Sequence, residues 1–258
     1  MYRGTGRRRG MGRFGHNPFM RSVERNAATD ATDATPATYA GVVFKTTLLL
    51  SIMFGLGIFS ATMLLQQELL IGGYGLLIGA PIIGFIAVLV ASFSPRLARP
   101  MSFIYATAQG IFLGTISAVY TIVFGDYIVP VALIGTMGIF FAMLFLYRSG
   151  IIKIGSMFRR IAISLLFGLL FANLFLMIMF AFVGFAQFQT FYLLIVIVGV
   201  VLAAVFLLID FDNITNMVEG GVSKQYEWML SLSLVITIVW LFVEMLRLLA
   251  ILASRSRN

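Results

Sequence analysis

The chain of 258 residues is 60% hydrophobic and only 11% charged. Soluble domains carry about 25% charged residues, so the composition is that of an integral membrane protein with no separate soluble domain. There is no cysteine and one histidine, His16 in a polar tail, which excludes disulfides and multi-histidine zinc sites and argues against a Ser-His-Asp triad.

Residues 1–38 are rich in Gly, Arg, Ala and Thr and include the low-complexity run "ATDATDATPAT". They hold too little apolar surface to offset ordering entropy and are predicted to be a basic, largely disordered tail. Much of the net charge of +8 lies here, at Arg3, Arg7, Arg8, Arg9, Arg13, Arg21 and Arg25. The reading is a cytosolic topology signal that also attracts anionic lipid head groups. No aromatic platform accompanies the arginines, so no nucleic-acid partner is expected. No apolar core follows them directly, so no cleavable signal peptide is expected either.

A membrane domain over 39–254 follows, then a short basic tail over 255–258. A transmembrane helix needs about 20 apolar residues. Seven runs qualify: Gly41–Leu65, Leu70–Phe93, Met101–Phe124, Ile128–Tyr147, Ile161–Val183, Thr190–Asp210 and Trp228–Ala253. They are too long and too uniformly apolar for barrel strands. The fold class is therefore all-α, integral membrane, with seven transmembrane helices. Glycines such as those in "GGYGLLIG" are expected to permit close helix packing.

Loop charge sets the orientation. The second separator, "SPRLARP", carries Arg96 and Arg99. The fourth, "RSGIIKIGSMFRR", carries Arg148, Lys153, Arg159 and Arg160, and the sixth carries Lys224. The first, third and fifth have no Lys or Arg. The N-terminus and the even loops are therefore predicted to be cytosolic. Arg255 and Arg257 leave a re-entrant final segment as an alternative to a seventh crossing.

The acids of the last third carry the functional signal. Glu244 lies in "TIVWLFVEMLRLLAIL", with Arg247 three residues later on the same helix face. An acid at the centre of a membrane helix costs roughly 2.5–3.5 kcal/mol and usually marks function. The bland alternative is a self-neutralising Glu244–Arg247 pair whose arginine snorkels outward. Asp210 and Asp212 lie about 200° apart around a helix. Asp212, Asn216 and Glu219 form a polar face, read as a solvated helix end, while Asp210 points into the bundle with Asn213. A buried Asp210 near Glu244 would share a proton and titrate as a unit. A cation could replace that proton, and hard oxygen ligands suit calcium. Such a pair is level only if the chain turns near Glu227 or if residues 212–226 run along the membrane surface. An intramembrane aspartyl protease is not expected, because the second acid is Glu244 and no "GxGD" occurs.

"LLIDFDNI" followed by "LFVEMLRLLA" resembles the transmembrane Bax inhibitor motif family, in its bacterial Bax inhibitor/YccA-like branch. "NPFMRSVERNA", "PATYAGVVFKTTLLL", "FLGTISAVY", "YRSGIIKIGSMFRR" and "EGGVSKQYEW" agree in order. The resemblance implies seven helices with the last central and surrounded by the other six. It implies a pH-sensitive calcium leak channel gated by an acidic pair between helices six and seven, near the cytosolic side. The first acid matches Asp210 and the second matches Glu244, with Arg247 where an Asn is usual. The family's studied channels latch that pair with a basic residue on the second helix. Here the second helix has none, so Lys45 or Arg247 would take the role, with Asn213 and Asp212 as further modulators. Calcium is the implied permeant or bound ion, with Asp210 and Glu244 as its ligands; no resident cofactor and no enzymatic activity are expected. The implied setting is a multi-pass plasma (inner) membrane protein, N-terminus cytosolic. A stress-response regulator that binds a partner such as a membrane protease is the alternative function.

Overall fold

The computed structural model describes residues 35–66, 73–183 and 189–255. Seven helices follow in order: α1 Tyr39–Leu65, α2 Gly73–Phe93, α3 Pro95–Phe124, α4 Ile128–Arg148, α5 Ser156–Val183, α6 Gln189–Glu219 and α7 Tyr226–Arg255. All seven are long and apolar enough to cross a membrane. Each helix satisfies its own backbone, the requirement that hydrocarbon imposes. Large side chains such as Phe54, Phe85, Phe141, Phe171 and Phe182 face outward, as lipid solvation allows. α7 is one continuous helix of 30 residues, about 45 Å long, which is enough to cross fully, and it has no re-entrant break.

The two largest shifts of helix boundary from expectation have local reasons. Pro95 stands at the start of α3, where a missing N–H costs nothing, and it draws the charged "SPRLARP" into helix. Arg96 and Arg99 therefore ride on the first turns of α3 and not on a loop. At the other boundary, α6 does not stop at Asp210 but runs nine residues further, to Glu219. The left-handed backbone of Gly221, φ 70°, then turns the chain into α7.

α7 packs against α1, α2, α3, α4 and α6, while α5 packs chiefly on α6. The expectation that the last helix meets all six others is thus met for five of them. α5 stands at the outside of the bundle, where Phe167, Phe171, Phe175 and Met177 are exposed. One face of α7 joins Leu232, Val235 and Val239 to Leu49 and Met53 of α1, Ala87 and Ala91 of α2 and Tyr105 of α3. Another joins Tyr226, Leu230, Leu234 and Leu241 to Ala203, Leu207, Phe211 and Ile214 of α6.

The close helix contact falls at glycines other than the expected ones. Gly75 and Gly79 of "GGYGLLIG" face open space. Gly57 of α1 instead meets Gly110 and Gly114 of α3, and a Cβ at Gly114 would overlap the Gly57 carbonyl. Small residues let two backbones touch in this way.

Antiparallel alternation leaves Arg247 and Arg255 towards the far end of α7 and gathers most of the described basic residues at one end. There Arg99 and Lys45 approach the ring of Trp228 at 5.8 and 5.2 Å, and Arg159 pairs with Asp212. This is the basic end of the bundle.

Candidate functional site

The seam between α6 and α7 carries the intramembrane acids. Asp210 is 6% exposed. Ser233 Oγ donates to its Oδ1 at 2.7 Å, and Thr237 Oγ1 donates to its Oδ2 at 2.5 Å. The two hydroxyls lie four residues apart, one turn, on the same face of α7. A buried carboxylate is tolerated only with such donors.

Glu244 lies deeper along α7. Its Oε1 accepts from Trp240 Nε1 at 3.2 Å and from Arg247 Nη1 at 3.3 Å. The carboxylate lies over Gly199 of α6, where a Cβ would stand 2.9 Å from Cδ. Arg247 thus meets Glu244, as its spacing suggested.

The fold sets Asp210 and Glu244 apart. Asp210 faces Ser233 and Thr237, whereas Glu244 faces Gly199, eleven residues earlier on α6. Eleven residues of helix span about 16 Å. The reason is the turn: it lies at Gly220–Gln225, between the ends of α6 and α7, and Glu227 is already the second residue of α7. Between the two levels the rings of Phe206 and Trp240 pack at 5.7 Å, inclined at 64°.

The remaining expected residues have other partners. Asp212 is not a free helix end. Arg159 of α5 pairs with its Oδ2 through Nη2, and Asn216 Nδ2 donates to the same oxygen at 3.0 Å. Asn213 does not turn to Asp210, because Arg159 Nη1 donates to its Oδ1 at 2.6 Å. One guanidinium fork so bridges two neighbouring acceptors, a task for which Arg is shaped. Lys45 touches neither acid of the seam; it pairs with Glu227.

Ser233, Thr237, Trp240, Glu244 and Arg247 succeed one another at spacings of four, three, four and three. This is a single helical stripe, visible in the sequence as spacing but disguised by its mild members. Glu227 carried no such signal, since an acid at a helix start is ordinarily solvated.

As a calcium cage the site does not fit. Calcium takes about six to eight oxygens. Among the described residues no three of Asp, Glu and His converge on one point. Asp210 and Glu244 stand at different depths and cannot chelate one ion together.

The sequence pattern of the family described as Bax inhibitor 1 like matches residues 17–254. The chain belongs to the Bax inhibitor 1-like family. The Bax inhibitor 1-like match reaches across all seven helices and stops one residue short of the end of α7. A search among individually curated proteins finds no match.

Proposed function

We propose that this Bax inhibitor 1-like protein is a pH-sensitive cation leak whose sensor is Asp210, with calcium as the permeant ion that the family resemblance implies. The observation that carries the reading is the buried carboxylate of Asp210, held by two α7 hydroxyls inside a membrane span. Ionisable groups at such positions mark ion and proton pathways. While Asp210 is ionised it only accepts, and Ser233 and Thr237 both donate to it. Once protonated it also donates, and one hydroxyl must turn to accept. That rearrangement loosens the α6–α7 seam. The packed rings of Phe206 and Trp240 form the apolar barrier beyond it, and Glu244 with Arg247 is a separate second station.

In this reading the basic end is cytosolic, the N-terminus with it, and the membrane is the plasma (inner) membrane. Calcium flux from proteoliposomes, followed against pH, tests the assignment. Asp210→Asn is expected to conduct without pH dependence. A parent-like pH profile in that variant overturns it.

One observation favours a partner-binding role beside it. Ile151 and Met157 are each 74% exposed in the basic stretch between Arg148 and Arg160, an apolar–basic surface suited to a membrane protein partner. Deleting residues 1–34 should spare the flux and abolish any partner function mediated by the tail.

A further inference from the structure

Glu227 is the most enclosed acid among the described residues, at 0% exposure, and the leak reading gives it no task. Its environment is built. Thr38 donates to Oε1 through its backbone N at 2.8 Å and through Oγ1 at 3.2 Å. Lys45 Nζ pairs with Oε2. Gly41 lies against the carboxylate so closely that any Cβ there would overlap it. All of these donors come from α1 or the segment just before it, while Glu227 lies in the first turn of α7.

That preceding segment is itself tied down. Ala37 N donates to Val222 O at 2.8 Å, and Lys224 N donates to Thr35 O at 2.9 Å. Pro36 and Ser223 form the antiparallel bridge between these bonds. They occupy its non-hydrogen-bonded position, where a proline loses nothing by lacking an N–H. Tyr39 adds a bond from its hydroxyl to Glu219 Oε1 at 3.3 Å, and Ser231 Oγ donates to Val42 O at 3.0 Å. Further into the membrane, α1 and α7 meet through apolar side chains such as Leu49, Met53, Val235 and Val239. Apolar contacts permit sliding, whereas hydrogen bonds and an ion pair fix a register.

We propose that residues Thr35–Thr38 are a clasp that locks the basic end of α1 onto the α6–α7 turn through Glu227, and that the clasp must release for α7 to move. The proposal rests on the leak reading only in naming what the motion opens. The clasp is a two-state element: closed, it satisfies a buried acid; open, it must surrender that acid to water together with Lys45.

Because the chain has no cysteine, one engineered disulfide is unambiguous. Residues at a non-hydrogen-bonded bridge have Cα atoms about 4.5 Å apart, within disulfide reach. Full-length Pro36→Cys/Ser223→Cys protein in calcium-loaded proteoliposomes is expected to conduct about tenfold less when oxidised than when reduced, a typical scale for coupling. Equal flux in both states overturns the clasp as a restraint on opening. A second measurement needs no flux. In detergent, Ala37→Cys should react slowly with a maleimide, since Ala37 is buried, and about tenfold faster when Glu227→Gln is added. Unchanged labelling overturns the proposal. No flux from any form, the unmodified protein included, counts against the leak reading, and the labelling rates then decide whether the clasp exists.

Discussion

Thr237 donates its hydroxyl to Oδ2 of Asp210 at 2.5 Å, so the group that faces the buried acid from α7 is neutral. A pair of carboxylates would share a proton and titrate together. A carboxylate between two hydroxyls has one proton to gain. The α6–α7 seam is therefore a single-acid device at this level.

The first prediction follows from that count. The flux–pH curve of the parent should have the slope of one proton. Thr237→Asp, which sets a second carboxylate against Asp210, should steepen the curve toward two coupled protons. Proteoliposome flux across a pH series reads the slope, and an unchanged slope counts against Thr237 as the facing group.

The second concerns independence. Asp210→Asn and Glu244→Gln alter groups separated by about 16 Å of helix. Their effects on unfolding free energy in detergent should add to within about 0.5 kcal/mol. A double-mutant coupling above about 1 kcal/mol would show that the two acids do interact.

A third compares two glycines. Gly114→Ala drives a Cβ into the Gly57 backbone, which cannot step aside, and should cost about 3 kcal/mol. Gly199→Ala meets the end of the Glu244 side chain, which can swing, and should cost about 1 kcal/mol. Thermal unfolding of both variants checks the order.

The fourth concerns the bridge from α5 to α6. Arg159→Ala removes the donors to both Asp212 and Asn213 and should destabilise by about 1–2 kcal/mol. Arg159→Lys should recover less than half of the loss, because a point charge cannot span both acceptors. Full recovery by lysine would mean that charge alone matters.

Much of this architecture was legible in the chain. Uniform apolar runs of about 20 residues have only one element to form in lipid, so the seven helices followed directly. Burial of Asp210 was legible from its place about 200° around the helix from Asp212 and the polar face, and the Glu244–Arg247 contact from three-residue spacing. The register of α6 against α7 was not. Composition allows the polar tail of α6 either to coil on or to lie flat, and only the hairpin's folded geometry puts the turn at Gly220–Gln225. That displacement moves Glu244 away from Asp210 and brings Ser233 and Thr237 to it. Glu227 was opaque for another reason: its three donors come from Thr38 and Lys45, more than 180 residues earlier. No local pattern can announce such a contact.

The chain's two tryptophans stand at its two most informative places. Trp228 follows Glu227 directly, beneath the cations of Lys45 and Arg99. Trp240 touches Phe206 between the acid levels and donates to Glu244. Indole emission is sensitive to nearby charge and to water, so the protein carries two native optical reporters. Replacing either with phenylalanine leaves the other as the sole indole. One then reports the basic end and the other the middle of the seam, without any attached dye. The order in which the two signals change would give the direction in which an opening movement travels.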